Sequence, residues 1–267
     1  MTLTITVLGS GTSHGIPMIA CDCPICTSTD PRDKRTRPSI AIACDDTTLL
    51  VDTGPELRLQ CLANDIRAVD AILYTHHHID HLAGLDDLRR FNWVQDEVIP
   101  CFGQPATLER LRTMFAYAFE HDPEYPSAKP ELTLHEINGP FEIPTRQSAI
   151  GSRQSSIRVT PIPLLHGTLP VLGFRVGNFA YCTDVSEIPP DSWPLLEGLN
   201  VLMLDAVRKK PHATHFNLEQ AVDHARRIGA MQTFFTHIAH TLGHAETNHG
   251  LPERMALAYD NQVIHST

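Results

Sequence analysis

One short run, Thr75-His76-His77-His78-Ile79-Asp80-His81, limits what this chain can fold into more than any other stretch. Residues 68–74 before it, Ala-Val-Asp-Ala-Ile-Leu-Tyr, predict a buried strand. Residues 82–90 after it predict a helix. The histidines therefore stand where a strand ends and a helix begins, the place where α/β folds bind ligands. The spacing is H-x-H-x-D-H. His76 and His78 are two apart, so in extended backbone they point the same way. Asp80 and His81 lie on the turn into the helix and can face the same cavity from another side. Two ligand pairs are enough to seed two adjacent metal sites. His77 points away from its neighbours and is not expected to be a ligand.

Three other strands end in the same manner, on His166, Asp184 and His237. Residues 157–165 predict a strand that stops at His166, and a hairpin over 172–176 and 179–184 stops at Asp184. A buried strand over 200–207 ends near Asp205, and another at 233–236 stops at His237. Between the last two, Asn217 predicts the cap of a helix over 218–228, closed by Gly229.

The first half supplies further strands at 3–8, at 39–44 and 48–52 (a hairpin), and at 98–102, and a helix at 106–119. A proline- and charge-rich loop at 120–131, a strand at 132–137 and a polar stretch at 145–156 follow, with a last edge strand around 263–264. Gly9-Ser10-Gly11-Thr12-Ser13 lacks the Gly-Lys-Ser/Thr ending of a phosphate loop and predicts a turn beside the site. No repeat or linker divides the 267 residues, so a single domain over 1–267 is expected.

Cys21-Asp22-Cys23-Pro24-Ile25-Cys26 crowds three of the seven cysteines into one loop. Three sulfurs so close cannot pair off as disulfides. Tetrahedral zinc wants four ligands, so a fourth must come from elsewhere. The N-terminus has no basic region followed by an apolar core, and no apolar run nears the length of a membrane span. Cytoplasmic localisation and no membrane partner are expected. The net charge of −10 disfavours a bulk electrostatic hold on nucleic acid.

The histidine run resembles the signature of the metallo-β-lactamase superfamily of binuclear metallohydrolases. The resemblance implies an α/β fold, an αββα sandwich of two mixed β-sheets with helices on the outer faces. It implies that His76, His78 and His166 hold one divalent ion, that Asp80, His81 and His237 hold the other, and that Asp184 bridges them. Manganese, zinc or iron would suit these donors. Asp52, in Asp52-Thr53-Gly54, would support the metals without binding them. A bridging water would become a hydroxide nucleophile, with Asp80 counted among the catalytic groups.

The chain is also similar to the PhnP-type phosphodiesterases of that superfamily. These carry C-x-C-x-x-C near the N-terminus, closed into a structural zinc site by a histidine three residues after the last active-site histidine. Cys21, Cys23, Cys26 and His240 match that set. The family also places a general acid or base ahead of the penultimate helix. His215 matches the position, with His212 its competitor. A hydrolase of a small phosphodiester, cyclic ones included, is thus expected, with a homodimer left open. Two other classes compete: an RNA-processing nuclease of the same superfamily, and a non-hydrolytic accessory protein like PQQ-biosynthesis protein B. The full ligand set favours catalysis over the latter.

Overall fold

The computed structural model describes residues 2–120, 128–146 and 155–267. Two seven-stranded sheets carry the chain. The first has the order β14-β1-β2-β3-β4-β5-β6, built from β1 (Leu3–Gly9), β2 (Ser39–Cys44), β3 (Thr47–Val51), β4 (Ala71–Leu73), β5 (Ile99–Gly103), β6 (Leu132–Glu136) and β14 (Val263–Ser266). The second has the order β13-β12-β11-β10-β9-β8-β7, from β7 (Phe141–Pro144), β8 (Ser156–His166), β9 (Leu169–Val176), β10 (Phe179–Cys182), β11 (Val201–Asp205), β12 (Gln232–Thr236) and β13 (Met255–Leu257). Each sheet is antiparallel on one side and parallel on the other, β3 to β6 and β10 to β13 being the parallel halves. The predicted αββα sandwich of two mixed sheets is the fold observed.

Alternation along each strand decides the layers, because successive side chains leave opposite faces. Leu49 of β3 and Met203 of β11 point between the sheets, into a core shared with Ile5, Leu73, Phe174 and Phe179. Their neighbours point outward. Leu50 packs beneath α1 (Leu57–Ala63) and α3 (Arg89–Gln95), against Leu57 and Phe91. Leu202 and Leu204 meet Ala221 and Ala225 of α6 (Leu218–Ile228). Each such fully buried aliphatic or aromatic side chain is worth about 1.5–3 kcal/mol.

Several boundaries depart from the sequence expectation. The strand expected over 68–74 shrinks to Ala71–Leu73, although the flanking residues keep single backbone bonds to the neighbouring strands, Asp70 N donating to Thr48 O and Tyr74 N to Phe102 O, each at 2.8 Å. The helix expected over 82–90 is three pieces: α2 (Ile79–Leu82), a 3₁₀ turn at Leu85–Leu88, and α3. The break falls at Gly84, whose amide donates to Thr53 O at 2.9 Å. A Cβ there would lie 2.2 Å from Gly54 O. The helix expected over 106–119 divides at Phe115 into α4 (Pro105–Met114) and α5 (Ala116–Phe119). Strand β7, strand β13 and α7 (His244–Gly250) had no sequence expectation. The expected loop at 120–131 and polar stretch at 145–156 fall largely outside the described residues. Among the described residues, no helix is long and apolar enough to cross a membrane.

The site lies at one edge of the sandwich, where strands of both sheets end. Thr75 and His76 follow β4, His166 ends β8, Asp184 follows β10, Asp205 ends β11 and His237 follows β12. Asp52, Asp184 and His237 all turn with positive φ, at 64°, 56° and 57°. This left-handed region costs most residues energy but suits Asp and His better than branched ones. The glycine loop after β1 braces this edge: Ile238 N donates to Ser10 O and Thr12 N to Ile238 O. Half-buried Asp260, which the sequence did not single out, accepts from Ser10 N and Oγ and from Thr36 N and Oγ1.

Candidate metal centre

The structure brings His76, His78, His166 and Asp184 into one group of donor atoms. Asp80, His81, Asp184 and His237 form a second, with all donor atoms of each group within 4.8 Å of one another. Asp184 belongs to both. Its Oδ1 lies 3.4 Å from His81 Nε2, and its Oδ2 lies 3.4 Å from His237 Nε2 and 3.8 Å from His76 Nε2. His78 is the one solvent-exposed donor. His77 joins neither group.

The outer nitrogens of three rings, His76, His81 and His166, are tied off, which aims the inner ones. His81 Nδ1 donates to Asp52 Oδ2 at 2.7 Å, and His166 Nδ1 donates to Thr214 O at 2.6 Å. Thr75 Oγ1 donates to Asp52 Oδ2 at 2.8 Å and can accept from His76 Nδ1 at 3.0 Å. Each of these Nδ1–H bonds leaves an Nε2 lone pair facing the cavity, the arrangement typical of metal-ligating imidazoles. The Nε2 atoms of His76, His81 and His237 are buried with no hydrogen-bond partner among the described residues. Buried nitrogens of this kind call for a ligand.

Electrostatics point the same way. Burial alone would raise Asp80, yet the imidazoles of His81 and His237 outweigh it and hold its carboxyl well below the usual range. Burial works to neutralise His81 and His237. The carboxylates, Asp184 foremost, override it, holding His81 well above the ordinary value and His237 up at about 9. His76, with burial and the His81 charge against it, is driven the other way. The carboxylates thus favour positive charge in the cavity, whose donors are hard or borderline oxygens and nitrogens. Two divalent cations fit these residues.

A third group stands beyond the ligands. His215, buried ahead of α6, donates Nδ1–H to Asp205 Oδ2 at 2.9 Å. Asp205 is held in turn by Val185 N at 3.0 Å. The His215 ring stacks on His237 with centroids 4.7 Å apart and meets His166 edge-on at 4.4 Å. His212 sits one ring further out, 4.9 Å from His215, and has no carboxylate partner among the described residues. Asp205, His215 and His237 are close enough to be read as a metal group of their own. The hydrogen bond already made between Asp205 and His215 argues instead for a carboxylate that orients a proton carrier.

Apart from these, Cys21, Cys23, Cys26 and His240 converge on one point. His240 Nδ1 lies 3.3, 3.4 and 3.8 Å from the three sulfurs. With zinc–sulfur and zinc–nitrogen bonds of ordinary length, the edge of such a tetrahedron is about 3.6 Å. The four donors fit zinc. Only Ile238 and Ala239 separate His237 from His240 in sequence, so one strand end feeds both centres.

The family model described as a beta-lactamase superfamily domain matches residues 47–238, which include every donor of the two shared groups. The chain belongs to the metallo-β-lactamase superfamily. Among solved structures, it is similar to a new diphosphatase from the PhnP family, at 39% identity and a TM-score of 0.89, covering 99% of this chain and 97% of that one. A Porphyromonas gingivalis protein named octanoyltransferase is 34% identical over 95% of this chain but only 50% of its own length, so the chain spans about half of that relative. Ribonuclease Z of a Mycobacterium species is 28% identical, covering 78% of this chain and 79% of that enzyme.

Within this superfamily member, sequence reasoning passed over Asp205 as a site residue. The signal was available: like His166 and Asp184, Asp205 closes a buried apolar strand. Thr75, which links Asp52 to His76, left no comparable trace, because a threonine at a strand end is ordinary.

Proposed function

We propose that this superfamily hydrolase is a two-metal phosphodiesterase acting on a small phosphodiester. The observation that carries the proposal is the Asp205–His215 pair standing directly against the rings of His166 and His237. Two divalent ions, manganese or zinc, held by the Asp184-centred donors would supply an acidified water and neutralise phosphoryl charge. Cys21, Cys23, Cys26 and His240 would hold a structural zinc.

The chain's own residues supply the rest. Water adds to phosphorus, the ester P–O bond breaks, and the departing alkoxide must gain a proton. His215 is the free imidazole nearest the ligands. Asp205 holds its Nδ1–H, so Nε2 is the nitrogen that exchanges a proton with the leaving group, and the carboxylate stabilises the imidazolium. Asp52 and Thr75 keep His81 and His76 in register. The 39% identity to a PhnP-family diphosphatase supports phosphoryl chemistry at this site. A nuclease role is less favoured, since a net charge of −10 works against gripping a long RNA.

The test is a screen of bis(p-nitrophenyl) phosphate, cyclic nucleotides and octanoyl thioesters, with manganese or zinc added to the metal-loaded protein. Turnover of phosphodiesters with none of thioesters is expected. Thioester cleavage without phosphodiester turnover would reject the proposal.

A further inference from the structure

The helices that cover the first sheet leave a groove between α1 and α3. Leu57 and Cys61 of α1 and Phe91 of α3, all buried, line its floor. Its volume is about 500 Å³, inside the range of roughly 300–1,000 Å³ typical of small-molecule sites. Leu62 on the α1 wall and Val94 on the α3 wall also line it, and they stay 66% and 57% exposed. Apolar side chains turned to water around a concave surface with a polar rim mark a binding site.

That rim is cationic. Among the lining residues, Arg58, Arg67, Arg89 and Arg90 stand against one carboxylate, Asp87. Arg67 pairs with Asp65, and Arg89 pairs with Asp86. Arg58, exposed on α1, makes no hydrogen bond or ion pair among the described residues, although its charge reaches Asp87. Arg90, exposed on α3, lies over the Trp93 ring at 5.0 Å and has no carboxylate partner among the described residues. In a chain of net charge −10, this groove is a local reversal of sign. Guanidinium groups with free N–H donors suit a carboxylate.

The groove also backs onto the metal centre. Leu57 opens α1 just after Asp52-Thr53-Gly54, and the opposite wall follows the turn that carries Asp80 and His81. Thr53 N donates to His81 O at 2.8 Å, and Gly84 N donates to Thr53 O at 2.9 Å. A Cβ on Gly84 would lie 2.8 Å from Leu57 Cβ, so the crossing has no slack. A ligand that moves α1 against α3 moves Asp52 against His81.

We propose that this groove is an effector site for a free medium-chain fatty carboxylate. The alkyl chain lies along Leu57, Cys61 and Phe91, the carboxylate meets Arg58 and Arg90, and occupancy changes turnover at the metal centre. Charge complementarity selects an anion, and the apolar floor selects its tail. A protein partner suits the groove less. A stable protein interface buries about 800 Å² on each side, and Leu62 and Val94 are the exposed aliphatic side chains that line this one. The turnover effect rests on the phosphodiesterase proposal, whereas the binding does not.

The probe is nonanoate below its micelle concentration, titrated into the metal-loaded chain by calorimetry, with 1-nonanol as the uncharged control. The native chain is compared with L62D and the double variant R58E/R90E, each checked for an unchanged melting temperature. One nonanoate should bind per native chain, about tenfold or more tighter than nonanol, the scale of one charged hydrogen bond. Affinity should fall as salt rises, and both variants should bind nonanoate more weakly. Equal affinity for nonanoate and nonanol, or for nonanoate in the native chain and R58E/R90E, would overturn the site. Binding to phosphatidylglycerol vesicles without saturable binding of nonanoate would also overturn it and assign the face to a membrane. Saturating nonanoate should change native turnover of bis(p-nitrophenyl) phosphate by about fivefold or more, the low end of coupling between sites, and leave R58E/R90E unchanged. No change in the native chain, or an equal change in both, would overturn the effector role. A chain that binds nonanoate but turns over no phosphodiester would reject the phosphodiesterase proposal and leave the binding site standing.

Discussion

Asp205 Oδ2 accepts the Nδ1–H of His215 at 2.9 Å, and both residues are buried. The bond fixes which nitrogen of His215 faces the cavity, and it puts a negative charge behind the ring. The same carboxylate's other oxygen lies 3.8 Å from His237 Nδ1, too far for a hydrogen bond but near enough to favour the orientation of that ligand.

The leaving group therefore decides how much His215 matters. His215→Ala should retain its metals and lose on the order of 10²–10⁴-fold in rate on an alkyl phosphodiester, the range of a general acid. It should lose far less on a p-nitrophenyl ester, whose phenolate departs without a proton. Asp205→Asn should show the same leaving-group dependence, with a smaller loss. Parallel kinetics on the two esters decide the matter: equal losses on both would assign His215 to substrate binding.

Glycine is required where α2 leaves the site. Gly84 has φ of −88°, which any residue adopts, so only space constrains it. Its absent Cβ would sit 2.2 Å from Gly54 O and 2.8 Å from Leu57 Cβ. Gly84→Ala must push α2, which carries Asp80 and His81, away from Asp52-Thr53-Gly54. A destabilisation of roughly 1–3 kcal/mol is expected. Thermal melting and elemental analysis should show a fall in both stability and bound metal. A variant with native melting temperature and full metal would show that the turn yields freely.

Much of this site was legible because ligands follow buried strands. His76, His166, Asp184 and His237 each close an apolar run, and a run of that kind is visible in composition alone. The helix over 218–228 was equally plain, since Asn217 and Gln220 complete a capping box and Gly229 ends it with φ of 71°. Other features had no local signal. Helix α7 lacks apolar periodicity and is fixed by distant partners: Asp33 accepts from His244 N at 2.8 Å, and Arg35 Nη2 donates to Leu242 O at 2.9 Å. The positive φ at Asp52, Asp184 and His237 is imposed by the sheets they leave. The break at Gly84 comes from a backbone thirty residues away in sequence, at Gly54.

The thiolate loop makes a prediction in pH. The backbone N–H of Cys26 does most to hold the Cys23 thiol down, at about 6, while burial pushes the Cys26 thiol up to about 11. At pH 7.5 Cys23 is ready to bind and Cys26 still carries its proton. Zinc ligation requires the thiolate, so binding must expel that proton and affinity must climb with pH between 7 and 9, on the proton-linkage argument. Calorimetry in buffers of differing ionisation heat measures the release. Zinc uptake with no proton release would contradict the assignment. Cys23→Ser and His240→Ala should both lower the melting temperature, as expected when a tetrahedral shell is opened.

The central claim is that Asp184 joins two cations into one catalytic centre. Its oxygens reach His76, His81 and His237 together, so no other side chain can replace it. The direct measurement is elemental analysis of the native chain and Asp184→Ala, with phosphodiester turnover read on the same samples. The native chain should carry about three ions, one for each closed donor group, by the ligand counts of such sites. Asp184→Ala should keep the thiolate-held ion, lose the others, and fall in turnover by at least the roughly 10–100-fold typical of damage to a metal's surroundings. An Asp184→Ala chain that retains all its metal and hydrolyses phosphodiesters at the native rate would contradict the account.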